Sequence, residues 1–168
     1  MSNDWAQVYA ATYEDLVRFL YRKVWDEERA QDLAQETFVR CMRTQRPLEN
    51  VRAFVFTIAI NLARDEARTV LRRRKHLTLL KNETTAQVEP TVDVEREQRI
   101  AAVEAALSDL SDRDRDILLL WDAGLSYQDI AAQTGLAIGA IGTTLNRARK
   151  RLVQTYEEIE RQKHVAHR

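Results

Sequence analysis

Asn146, Arg147, Arg149, Lys150 and Arg151 place four cations and one amide within six residues of a predicted helix, Ile138 to Leu152. Guanidinium and ammonium groups meet phosphates, and an asparagine amide meets a base edge, so this mixture suits DNA binding. Thr143 and Thr144 add two hydroxyls one turn earlier. Such a helix must be held at a fixed angle, and the residues before it supply the means. Ser126 to Leu136 reads as a short helix ending at a glycine turn, the layout of a helix-turn-helix. Ser126 caps that helix, with Asp129 three residues on in a box-like arrangement. Ala131 is small where two helices approach, and Gly135 takes the left-handed conformation that ends a helix cheaply. Ile130, Leu136, Ile141 and Leu145 lock the pair. An ordinary helical hairpin with a solvated basic end is the alternative that this pattern leaves open.

The formal net charge of the 168 residues is zero, yet the charges are segregated. Residues 61–75 carry six basic groups against two acidic ones, and residues 83–97 carry five acidic groups against one basic. Four Gly and two Pro among abundant Ala, Leu, Arg, Glu and Gln predict an all-α protein. No period-two run of β-branched residues is long enough for a sheet. The apolar fraction of 45% suffices for packed cores.

The chain divides into two small helical bundles. In the first, residues 1–75, a stripe of Trp5, Val8, Tyr9, Thr12, Tyr13, Leu16, Phe19 and Leu20 marks an amphipathic helix. Asp26 caps a second helix, buried through Ala30, Leu33, Ala34, Thr37, Phe38 and Cys41. A turn with Pro47 follows, and Asn50 caps a long helix whose buried face is expected at Phe54, Ile58 and Leu62, with Val55 a candidate fourth. Phe54 and Phe56 sit two apart and cannot share a face, so one is free for another surface. The tryptophans Trp5, Trp25 and Trp121 are read as packing residues. Residues 76–94, rich in Thr, Asn, Pro and acid, are expected to form a flexible linker. The second bundle, residues 95–160, has helices through Ala106 or Leu107 and from Ser111 to Asp122, ended by Gly124, before the helix-turn-helix; residues 161–168 are expected to be a polar tail.

Other classes of function find little support. His76, His164 and His167 lie in the connector and tail, Cys41 stands alone, and there is no glycine-rich phosphate loop or nucleophile elbow, so neither an enzyme nor a metal or other cofactor is expected. A lone thiol excludes an intrachain disulfide and suits a reducing compartment. The N-terminus lacks the pattern of a secretory leader. The longest apolar stretch, Phe54 to Ala63, is far shorter than a bilayer span, so a cytoplasmic protein without membrane insertion is expected.

Four motifs in order resemble a known family, the bacterial RNA polymerase sigma factors of the extracytoplasmic-function type (group IV of the sigma-70 family). Residues 32–40, DLAQETFVR, are similar to that family's DLxQExFxR helix, and residues 54–68 to its basic promoter-melting helix. Leu107 to Arg115 resembles the entry into its second domain, and Ile138 to Leu152 resembles VGTVKSRLHRARKRL. The resemblance implies a promoter-specificity subunit that acts with core RNA polymerase, reads −10 and −35 promoter DNA, and is restrained by an anti-sigma factor. It implies that Asp32, Gln35, Glu36 and Arg40 dock on the polymerase β′ subunit, with further contacts to β. It implies that Asn61 reads an unstacked −10 base, the loop from Arg46 to Arg52 rims the base pocket, and Arg64, Arg68, Arg72 and Arg73 track the phosphates. For the −35 element it points to the helix carrying Thr143, Thr144, Asn146, Arg147, Arg149, Lys150 and Arg151. There the chain departs from the pattern: Gly142 and Thr144 stand where the family has Lys and Arg, which predicts unusual or weaker −35 recognition.

Two readings of other classes compete with this one. A free-standing helix-turn-helix regulator, with a dimerising or sensing N-terminal bundle, would bind a palindrome without polymerase. A helical adaptor would bind protein alone.

Overall fold

The computed structural model describes residues 3–78 and 93–166, with the side chains of 74–78 left aside. Seven helices make up the regular structure among the described residues: α1 (Trp5–Val24), α2 (Glu27–Met42), α3 (Val51–Thr78), α4 (Val94–Ser108), α5 (Asp112–Asp122), α6 (Tyr127–Thr134) and α7 (Ile138–Ala166). The chain separates into two compact units, with the division at Val88 and Glu89. The expected linker falls largely on residues 79–92, outside the described residues; at its edges, residues 76–78 continue α3 and Val94 begins α4.

In the first unit each helix begins where a short polar side chain satisfies an amide that has no partner in the first turn. Asp4 accepts from the Gln7 amide, Asp26 from Arg29 at 2.9 Å, and Asn50 Oδ1 from Ala53 at 3.0 Å. α1, α2 and α3 pack pairwise. α2 buries the six residues its stripe predicts, from Ala30 to Cys41. α1 buries only Thr12, Leu16, Phe19 and Leu20, while Tyr9 at its N-terminal end is exposed.

The face of α3 corrects the expectation from spacing. Its buried residues are Val55, Phe56, Ala59, Ile60, Leu62 and Ala63, whereas Phe54 and Ile58 are only half-buried. α3 packs against both α1 and α2, so its apolar arc is broader than one four-residue stripe. Phe56 fills the centre of the core, edge-on to Phe19 at a centroid distance of 5.3 Å.

The second unit is built around α7, against which α4, α5 and α6 all pack. Ser111 caps α5 and Ser126 caps α6 by accepting the Asp114 and Asp129 amides, each at 3.1 Å. The Ser126 hydroxyl in turn donates to the Asp129 carboxylate at 2.8 Å. Gly135 ends α6 at φ +74°, a backbone that costs other residues about 1–2 kcal/mol. Ile130, Ile141, Leu145 and Ala148 close the helix pair, while Leu136 is half-buried. α7 runs 29 residues, well past the expected end at Leu152. It covers most of the segment expected to be a polar tail, and Lys163 Nζ donates to the Gln98 carbonyl of α4 at 3.1 Å.

Candidate nucleic-acid interface

On α7 the exposed side chains define the surface a duplex would meet. Thr143, Asn146, Arg147 and Lys150 are exposed. Thr144 is not: at 7% exposure it faces the core, which removes it from the candidate DNA contacts. The cause is helical geometry, since residue 144 lies within one turn of the buried Ile141, Leu145 and Ala148. Arg149 and Arg151 are exposed but already engaged. The Arg149 guanidinium lies 4.4 Å over the Trp121 ring, and Arg151 Nε is 3.1 Å from Asp109 Oδ2. Thr155 Oγ1 donates to the same Asp109 carboxylate at 2.9 Å, and these two partners hold the acid's pKa below its ordinary value. Arg149 and Arg151 therefore help join α7 to α5 and to the end of α4.

On α3 Asn61 is exposed, as are Arg68, Arg72 and Arg73, and Arg64 is half-exposed. The arginines begin where the buried face ends at Ala63, so the helix passes from packed core to a cationic arm. Arg68 lies 3.9 Å from Asp65 one turn away, a weak surface pair that leaves the arm basic. Glu66 serves the fold: Arg29 of α2 grips it with two hydrogen bonds of 2.5 and 2.6 Å. That grip draws the Glu66 carboxyl below the usual carboxylate range, with Coulomb attraction from Arg73 adding to it. The loop expected to rim a base pocket is tied to the N-terminus, since Asn3 bonds the Arg46 carbonyl and the Leu48 amide, each at 3.3 Å. Arg52 sits inside α3, pairs with Asp15 at 3.0 Å and lies 5.2 Å from the Phe56 ring centre, so it braces the bundle.

On α2 Asp32, Gln35 and Arg40 are exposed and Glu36 is half-exposed. Their three- and four-residue steps put them on one face, where Arg40 Nη2 and Glu36 Oε1 pair at 2.6 Å. Beside them an apolar groove of about 530 Å³ runs between α1 and α2, lined by Trp5, Tyr9, Gln35, Phe38, Val39 and Met42. Sequence spacing identifies the polar face but not this groove, which exists only once α1 lies against α2. Trp121 and Arg115 likewise take roles that only the folded unit shows. Arg115 Nε donates to the Leu107 carbonyl at 3.0 Å, so this residue of the third motif closes the end of α4. Among the described residues no His, Cys, Asp and Glu side chains converge as a metal would require.

Comparison with known proteins adds independent support. Residues 8–74 match the family model for sigma-70 region 2, and residues 100–152 that for sigma-70 region 4. The chain is 33% identical over 129 residues to the ECF RNA polymerase sigma factor EcfG of Rhodopseudomonas palustris, covering 74% of this chain and 70% of that one. It is 32% identical over 155 residues to the ECF RNA polymerase sigma factor SigC of Mycobacterium tuberculosis, covering 88% and 80%. Among solved structures it resembles the sigma factor RpoE of Bartonella quintana, determined with the anti-sigma factor NepR, at a TM-score of 0.68 and 26% identity over 92% of this chain and 97% of that one. CnrH, solved with the cytosolic domain of CnrY, shares the fold at a TM-score of 0.67 and 22% identity, covering 92% and 88%.

Proposed function

The chain belongs to the extracytoplasmic-function sigma factors of the sigma-70 family, and from that premise we propose how its surfaces divide the work. As a sigma factor it binds core RNA polymerase and directs transcription initiation at promoters with −10 and −35 elements. In our reading residues 1–75 form the polymerase-docking and −10 domain, 76–94 the tether, and the unit from residue 95 onward the −35 domain. Asp32, Gln35, Glu36 and Arg40 meet basic groups on β′, where their shared face offers charge and hydrogen bonds together. Asn61 reads an extruded −10 base while Arg64, Arg68, Arg72 and Arg73 hold the opened strand's phosphates. Thr143, Asn146, Arg147 and Lys150 meet the −35 duplex directly.

The protein performs no bond-making chemistry of its own; polymerisation belongs to the core enzyme it joins in the cytoplasm. No helix among the described residues is long and apolar enough to cross a membrane. An anti-sigma protein restrains it, as a reading by analogy with Bartonella RpoE, which was solved bound to NepR.

The observation that carries this reading is the presence of both sigma regions, in order, on one chain. A gel shift on a promoter duplex, with and without core polymerase, tests it. Binding that requires polymerase is the expected result. Tight binding to a palindromic duplex without polymerase would instead establish a free-standing regulator.

A further inference from the structure

Two acids stand among the arginines of the α3 arm, Asp65 and Glu66, and the fold treats them differently. Asp65 is exposed and faces the equally exposed Arg68 at 3.9 Å. Glu66 is largely covered, its side chain 19% exposed, and Arg29 of α2 closes both carboxylate oxygens with Nε and Nη2. The remaining contact of Arg29, Nη1 to Asp32 Oδ2 at 3.8 Å, is longer and more exposed. Glu66 and Arg73 are seven residues apart, two turns, and so lie along one side of α3. Long side chains on a helix lean toward its N-terminus, which carries the Arg73 guanidinium back toward Glu66. Arg29 draws the Glu66 carboxyl below its ordinary range, and attraction to Arg73 adds to the shift. An unpaired carboxylate at this place would pull Arg73 inward and repel a phosphate backbone. One closed by two guanidinium hydrogen bonds does neither with full force.

We propose that Arg29 is a positioning residue for −10 recognition: by neutralising Glu66 it leaves Arg73 free to hold a phosphate of the opened strand. Arg29 touches no DNA in this role and acts through Glu66. The inference rests on the −10 reading of α3, to which it adds a residue of α2.

The test uses holoenzyme reconstituted from the full chain and core RNA polymerase, bound to a forked duplex with a single-stranded −10 segment. Wild-type holoenzyme selects that segment from a randomised library, and the readout is the slope of log affinity against log salt. Arg73→Ala should reduce the slope by about 0.7, the share of one phosphate on a single strand. Arg29→Met should reduce it as much, and should add nothing in the Arg73→Ala background. Glu66→Gln breaks the same tie but removes the acid, so its slope should stay at the wild-type value. Arg29→Met combined with Glu66→Gln should return to that value, and Arg29→Lys should lose less than Arg29→Met. A simple brace between helices would make Arg29→Met and Glu66→Gln equally harmful, which overturns the proposal. A double variant no better than Arg29→Met also overturns it, and moves the effect to Asp32 and core docking. A wild-type slope in Arg29→Met, with Arg73→Ala still reduced, overturns it while leaving the −10 reading intact. An unchanged slope in Arg73→Ala would remove the phosphate reading of that residue, and the proposal with it.

Discussion

The guanidinium of Arg149 lies 4.4 Å above the indole of Trp121, joining α7, which carries the proposed −35 residues, to α5. Trp121 is 40% exposed, and the arginine's stem and head cover part of what its own helix leaves bare. An exposed cation–π contact contributes about 0.5–1 kcal/mol. Trp121→Ala should therefore lower the stability of the second unit by about 1 kcal/mol or somewhat more, read as faster amide exchange in α5 and α7. Unchanged exchange would show that the ring holds nothing.

Arg29 and Glu66 form the corresponding tie in the first unit, between α2 and the beginning of the cationic arm. Folding lowers the Glu66 pKa, so in acid the unfolded chain takes up the proton more readily than the folded one. The contribution is complete above the ordinary carboxylate value, about 4, and disappears as pH falls through the lowered folded value. Glu66→Gln should thus weaken protection of α2 and α3 amides at neutral pH by about 1 kcal/mol, a figure that allows for partial solvent screening. The difference should close in acid. A gap that persisted below the folded pKa would assign the effect to shape alone.

Cys41 is fully buried against the bundle core, and burial pushes its thiol up to about 11. At pH 8 the thiolate fraction falls roughly two hundredfold against an ordinary cysteine, and access is blocked as well. A disulfide reagent should label the native chain slowly and incompletely at that pH, then label it at once in denaturant. Rapid stoichiometric labelling of the folded chain would contradict the burial of α2.

Local features were legible in the sequence because they act over three or four residues. Asp26, Asn50 and Ser126 each cap the helix that follows, and the stripe from Ala30 to Cys41 needs only one neighbouring surface. α3 misled because it touches two helices, and a four-residue stripe through Phe54 and Ile58 runs along one edge of a wider buried arc. α7 misled at its far end because its polar residues are held by groups distant in sequence, such as the Gln98 carbonyl that Lys163 reaches. The polar face of α2 was visible as a spacing. Which cations of α7 are already spoken for was not, since Arg151 meets Asp109 and Arg149 meets Trp121 only in the folded unit.

Two glycines near the helix-turn-helix should respond oppositely to alanine. Gly139 sits in α7 with nothing within 4 Å of an added Cβ, so Gly139→Ala should stabilise the second unit by about 0.5–1 kcal/mol. Gly135 also has open space, yet its φ of +74° penalises any Cβ, so Gly135→Ala should destabilise by about 1–2 kcal/mol. Thermal unfolding of the two variants measures both signs. Matching shifts in one direction would mean that space, rather than backbone conformation, governs this turn.

The division among the α7 cations sets the salt dependence of promoter binding. Arg147 and Lys150 are exposed, and each phosphate contact they make releases about one counterion from DNA. Arg147→Ala or Lys150→Ala in the holoenzyme should therefore reduce the slope of log affinity against log salt by about one. Arg151 differs because Asp109 already neutralises it, with Thr155 bonded to the same carboxylate. Arg151→Ala should leave the slope nearly unchanged and instead speed amide exchange where α7 meets the end of α4. A full unit of slope lost at Arg151, with exchange unaltered, would show that its guanidinium leaves Asp109 to bind phosphate when DNA arrives.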